Sequence, residues 1–314
     1  MEGIVNEESK HHICYTDILN EYIGAEFVEL YASNVQYATK GPTYKVYSLE
    51  HNSKYYLLTI VTCSLKNKET IDKILKIYDD ANIRADLYKN FATILKCRNI
   101  NYSPLQTFCI ETVYEYSKAN ISMISDKRKI IKKMSEVAEA MKILEKEGLC
   151  NGFLRPETIF LKEGTIKVLN FGFPPSDTKE DIYSAPEVTK KQIGNKPDVY
   201  SFGMTLYQSL SEEYKEYHEE SQEELIQKVK SLRFDEDEKY NKKVVDLICK
   251  TLCNDPEERL SFEEIGKVLK ELNKDYEETA ETSSGKQHEP SKKSNISQND
   301  FEKLRNELSN TCSN

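Results

Sequence analysis

Apolar positions change their period three times along the chain. From about residue 26 to residue 63 they gather in strand-length runs. Tyr44-Lys45-Val46-Tyr47-Ser48-Leu49 leads into a polar turn, Glu50 to Lys54, and a β-branched and aromatic run from Tyr55 to Cys63 follows. Residues 67–97 then shift to helical spacing, with Ile71, Ile74, Leu75 and Tyr78 on one face. A further strand pair is predicted between Leu105 and Tyr116. From Asp126 onward the period is 3.6: Ile130, Ile131, Met134, Val137, Ala138, Met141 and Leu144 mark one long amphipathic helix that ends at Gly148.

Beyond that helix, Ile159-Phe160-Leu161, a Lys-Glu-Gly turn and Ile166-Lys167-Val168-Leu169 predict a short hairpin. Val199 to Leu210 is apolar nearly all round, the pattern of a helix buried inside a domain. Helices near 222–232 and 241–252 follow, and Ser261 with Glu264 forms a capping box for a last one. From Asp275 to Asn314 only seven of 40 residues are apolar, too few to bury a core, so this segment is expected to be disordered. Within it, Phe301, Leu304 and Leu308 share a helical face behind Asn299 and Glu302. The fold class is therefore α+β: a small β-rich lobe, a larger helical lobe and a loose tail. The expected divisions are an extension at 1–25, a domain at 26–272 split into 26–116 and 117–272, and a tail at 273–314.

Composition narrows the function classes. With 44 Lys and Arg against 53 Asp and Glu, the net charge of -9 argues against a broadly basic nucleic-acid surface. No stretch approaches the ~18–20 apolar residues of a membrane helix, and no secretory leader is evident at the start. The eight cysteines lie mostly singly in apolar stretches with no C-x-x-C pair. These features together lead to the expectation of a cytoplasmic protein with no membrane or nucleic-acid partner.

Several motifs carry a resemblance. Asn151-Gly152-Phe153-Leu154-Arg155-Pro156-Glu157-Thr158 resembles the protein kinase catalytic loop, His-Arg-Asp-Leu-Lys-Pro-Glu-Asn. Asn170-Phe171-Gly172 stands in the place of Asp-Phe-Gly, and Ala185-Pro186-Glu187 matches the end of the activation segment. Asp198 to Gly203 resembles the buried central helix, in wording closest to the tyrosine-kinase-like group, and Asp255 to Arg259 matches the motif before the last helix. The resemblance covers about 26 to 272 and implies a bilobal kinase-like fold. It also implies a Glu187–Arg259 ion pair, an Asp198 that accepts hydrogen bonds from the catalytic loop, and a core Phe171.

The same resemblance assigns the chemical positions. Phe153 occupies the base position, and a phenyl ring accepts no proton. Thr158 and Asn170 occupy the metal-ligand positions, and neutral Asn170 is a poor magnesium ligand. Thr59 stands where the phosphate-binding Lys belongs, and the expected Glu partner falls near Tyr88, with Asp86 out of register. Of the three glycines of the nucleotide loop only Gly41 remains; Thr39 and Tyr44 hold the other places. Lys45 is a candidate substitute for the missing Lys, and Tyr114-Glu115-Tyr116 is the implied hinge. The activation segment, Asn170 to Glu187, is only 18 residues, with Glu180 in place of a Thr that normally joins the peptide-binding loop to the base. Ser176 and Thr178 are candidate phosphorylation sites within it.

These substitutions lead to the expectation of a pseudokinase: a kinase-like domain that is not an enzyme and acts as a protein-binding or allosteric module for unknown protein partners. No cofactor is expected beyond weak, metal-independent ATP binding. Two alternatives stay open at this point. One is an active Ser/Thr-type kinase with unorthodox ATP-binding residues; the other is a scaffold that binds through its tail.

Overall fold

A computed structural model describes residues 30–35, 43–51, 54–64, 69, 72–73, 75–76, 88–92, 94–102, 107–117, 119–152, 154–169, 182–188, 196–211 and 221–283. Among the described residues the first strands are β1 (Leu30–Val35), β2 (Thr43–His51), β3 (Lys54–Ser64), β4 (Ile94–Tyr102) and β5 (Thr107–Tyr116). They form one antiparallel sheet in the order β1-β2-β3-β5-β4. The strands β6 (Ile159–Lys162) and β7 (Thr165–Val168) make a separate hairpin, turned by Glu163 and Gly164, both at positive φ.

Two expectations for this region are corrected. The helix predicted over 67–97 ends earlier: Glu69, Asp72, Lys73, Leu75 and Lys76 are helical, but Tyr88–Asn90 is a turn and β4 begins at Ile94. The strand pair predicted between Leu105 and Tyr116 is a single strand, β5, whose partner is β4. Arg98 pairs with Glu111 and Ile100 with Cys109 across consecutive strands, and cross-strand pairing, which helical periodicity does not report, decides this segment.

Among the described residues the longer helices that follow are α1 (Lys127–Lys146), α2 (Lys196–Leu210), α3 (Gln222–Ser231), α4 (Glu238–Thr251) and α5 (Phe262–Ser283). Each start has a chemical cause. Asp126 caps α1 by accepting from the Lys129 N–H, and Ser221 and Asp237 cap α3 and α4 in the same way. Gly148, at φ +65°, closes α1 in the left-handed conformation. Glu145 of α1 accepts from the Phe262 N–H at 3.0 Å, placing a carboxylate at the positive end of α5. Arg128 binds Asp235 through two hydrogen bonds of 2.5 and 2.7 Å, joining the start of α1 to the loop before α4, and its cation lies over the Tyr240 ring.

Helix α2 is the centre of this half. Val199, Phe202 and Leu206 are fully buried, and Phe202 meets Phe262 edge-on at 5.8 Å. Gly203 lets α4 approach: a methyl there would collide with the Thr251 hydroxyl, and would lie 2.9 Å from Thr251 Cβ and 3.0 Å from Leu252 Cδ2. Alanine at Gly203 is a better helix former, yet overpacking dominates. We expect Gly203→Ala to destabilise the protein by about 1–3 kcal/mol, read as a lower urea midpoint; an unchanged or higher midpoint would contradict this packing.

Helix α5 continues to Ser283, eleven residues into the expected tail. Residues 267–283 contain neither Gly nor Pro and are rich in Glu, Lys and Leu, so helix propensity carries the chain past the point where apolar residues thin out. Phe301, Leu304 and Leu308 lie outside the described residues, as does the expected extension at 1–25. Among the described residues no helix is long and apolar enough to cross a membrane.

Candidate functional site

The loop that follows α1 is held from below by a single carboxylate. Asp198, in the first turn of α2 and 2% exposed, accepts from the Asn151 N–H at 2.6 Å and from the Gly152 N–H at 2.8 Å. Gly152 has φ +76°, the left-handed region that a side chain resists, so the turn needs glycine. The Asn151 side chain, 1% exposed, donates to the Leu169 carbonyl at 3.1 Å and ties the loop to the residue before Asn170. Sequence reasoning treated Asn151-Gly152 only as a lost His-Arg pair. The Asn-Gly dipeptide was the available signal for a tight turn.

Burial raises the Asp198 carboxyl to about 6, against the two N–H groups that favour its charged form. A folded value above the unfolded one favours the fold most below pH ~4, and that advantage is lost as the pH rises through 6. An Asp198→Asn chain lacks this titration. The stability of the wild type relative to the variant should therefore fall by roughly 2 kcal/mol between pH 4 and pH 7, most of the shift expressed as free energy. Urea midpoints at four pH values measure it. A constant difference, or one that grows with pH, would contradict this reading of the carboxylate.

The other positions divide into those that converge and those that do not. Thr158 ends a 3-10 turn, Pro156–Thr158; its hydroxyl donates to the Arg155 carbonyl at 3.0 Å and accepts from the Arg155 N–H at 3.1 Å. That hydroxyl is spent inside its own loop. Asn170 lies outside the described residues, and among the described residues no group of three His, Cys, Asp or Glu could hold a metal ion.

On the sheet, Thr59 of β3 pairs with Val46 and Thr112, while Lys45 pairs with Ile60. Alternate positions of a strand belong to opposite faces, so Lys45 and Thr59 sit on opposite faces of the sheet. Tyr114 and Tyr116 are inside β5, paired with Leu57 and Tyr55, and Tyr114 is fully buried in the core. The connection out of the sheet starts at Ser117, where the ladder ends and backbone groups are released from pairing. Tyr88, the expected Glu position, is in the turn before Phe91, which bridges to Val168. Gly41, Phe153, Phe171, Ser176 and Thr178 lie outside the described residues.

The end of the activation segment is anchored by an ion pair. Arg259 donates to both carboxylate oxygens of Glu187, at 2.5 and 2.8 Å, with side-chain exposures of 0% and 6%. The guanidinium also donates to the carbonyls of Cys253 at 2.7 Å, Lys196 at 3.1 Å and Asn254 at 3.3 Å, and it lies over the Tyr200 ring. Every face of the cation is thus used, as a buried guanidinium requires.

Comparison with known proteins follows the same outline. Residues 40–269 match the family described as Protein kinase domain. A probable serine/threonine-protein kinase of Saccharomyces cerevisiae is 25% identical over 175 residues, covering 47% of this chain and 12% of the yeast protein. A probable serine/threonine-protein kinase of Dictyostelium discoideum is 31% identical over 129 residues, 37% of this chain and 15% of that protein. The dual specificity protein kinase shkE of the same organism is 32% identical over 144 residues, 40% of this chain and 20% of that protein. The chain spans a fifth or less of the length of these relatives. These findings overturn the expectation that the chain is not an enzyme: the matched family and the named relatives are kinases. The physical reason is that Phe153, Thr158 and Asn170 remove factors from a rate, and each factor is finite, a general base contributing ~10²–10⁴-fold.

Proposed function

The chain belongs to the protein kinase domain family, and from that premise we propose that it transfers the terminal phosphoryl group of a nucleotide to a serine or threonine hydroxyl of a protein, slowly. Phosphoryl transfer depends on positioning and charge compensation more than on covalent chemistry by the protein. The positioning frame is present: Asp198 holds the two loop amides, and Glu187 with Arg259 anchors the segment that follows. The observation that carries the reading is the Asp198 support, because a buried carboxylate spent on two loop amides maintains a loop of one defined shape. The slow rate follows from Phe153, which offers the acceptor hydroxyl no proton acceptor.

The wording of Asp198 to Gly203 supports a place near the tyrosine-kinase-like group, and the bilobal arrangement is part of the same proposal. Serine and threonine as acceptors are supported by the printed names of the two serine/threonine-protein kinases among the relatives. A reducing, cytoplasmic setting is supported by free thiols at Cys150, Cys249 and Cys253. Labelled nucleotide offered with a serine/threonine peptide library and, separately, a tyrosine library tests the acceptor. Label in the first is expected; label in the second alone would overturn the assignment.

A further inference from the structure

We propose that Arg155 is a positioning residue that ties the catalytic loop to the segment 182–188 through the ring of Tyr183. Its guanidinium carbon lies 5.4 Å from the centre of that ring. Tyr183 is 8% exposed, and Arg155 is half-buried. A cation over a ring in a partly dry setting is bound more firmly than one at an open surface.

The surrounding bonds make this contact a bridge between two fixed supports. The Arg155 backbone is extended, at φ -156° and ψ 164°, and both its N–H and its carbonyl are bound to Thr158. Leu154, one residue earlier, accepts from the Thr205 hydroxyl at 3.3 Å. On the other side, the Tyr183 carbonyl accepts from the Ser201 hydroxyl at 2.8 Å. Ser201 and Thr205 are one turn apart on α2, so a single rigid helix holds both backbones, and Arg155 spans the gap with its side chain. Three residues after Tyr183 the chain enters Pro186 and Glu187, where the Arg259 ion pair begins. The loop, the segment and the anchor are thereby one mechanical unit. The consequence for substrate, which rests on the transferase reading above, is that Arg155 sets affinity for the acceptor peptide.

Hydrogen exchange on the full chain tests the tie without requiring turnover. Arg155→Met keeps apolar cover over the ring and removes the charge; Tyr183→Leu removes the ring; Tyr183→Phe keeps it. We expect amides of 182–188 to exchange about 3- to 30-fold faster in the first two variants, and more slowly in Tyr183→Phe than in Tyr183→Leu. The rate in α4 should stay unchanged in all three. Arg155→Lys, which restores a cation, should recover part of the protection, and Arg155→Met combined with Tyr183→Leu should add little to either alone. Protection unchanged in Arg155→Met, or lost equally in α4, overturns the proposal, since the side chain would then be cover or general scaffold. If transfer occurs, KM for the peptide should rise in Arg155→Met more than kcat falls. Faster exchange in a wild-type background that shows no transfer would leave the tie standing and remove the transferase reading instead.

Discussion

An Arg259→Ala chain should lose about 3–5 kcal/mol of stability, the cost of leaving one member of a buried ion pair without its partner. The structure shows why the upper half of that range applies. Removing the guanidinium strands the Glu187 carboxylate at 6% side-chain exposure and orphans the carbonyls of Cys253, Lys196 and Asn254. A domain of this size changes its melting temperature by about 2–4 °C per kcal/mol, so a fall of roughly 8–20 °C is expected. The double variant Glu187→Ala with Arg259→Ala should be less destabilised than the sum of the single variants, because no charge is then left stranded. Calorimetry on the three variants gives the cycle. Simple additivity, or a fall under ~2 °C for Arg259→Ala, would contradict a shared buried pair.

The second large effect concerns rate. Phe153→Asp should raise phosphoryl transfer by about 10²-fold or more, because it supplies the proton acceptor that the loop lacks, and general-base assistance is worth ~10²–10⁴-fold. The loop that would present the new carboxylate is already supported on its N-terminal side by Asp198 and Leu169 and on its C-terminal side by the Thr205 hydroxyl on Leu154. Initial rates at saturating nucleotide measure the gain. A rate unchanged or lowered in Phe153→Asp, with the melting temperature preserved, would show that the loop shape does not place residue 153 at the acceptor hydroxyl.

Much of the helical half was legible in the chain because its signals are local. Ile130, Ile131, Met134 and Leu144 repeat at 3.6, Asp126 and Gly148 mark the ends, and Ser261 with Glu264 starts α5 as a capping box with reciprocal bonds of 2.8 and 3.2 Å. The β4 strand was not legible. Ile94 and Leu95 continue the apolar density of the helix before them, no Gly or Pro intervenes, and the strand exists by pairing with β5. The end of α5 was missed for the opposite reason, since polar helix formers carried it on without an apolar face.

At the site, Glu187 with Arg259 and Asp198 with the loop were reached through motif resemblance, which reports separations of 72 and about 47 residues that periodicity does not reach. Asn151 on Leu169 and Arg155 over Tyr183 had no such guide, as neither residue matches a family word in a role of its own. The expectation of inactivity failed on different grounds: residue identities report which groups are missing, and a rate depends on all the groups that stay.

On the proposed function, phosphoryl transfer depends on the loop that Asp198 holds in shape. Single-turnover transfer of γ-labelled phosphate to a serine/threonine peptide, followed for the wild type and for Asp198→Asn at a temperature where circular dichroism shows both folded, addresses it directly. The account predicts label transfer above a heat-denatured control in the wild type and a fall of at least tenfold in the variant, the equivalent of about 1.4 kcal/mol in the barrier. No transfer by the folded wild type, or equal transfer by both proteins, would contradict it.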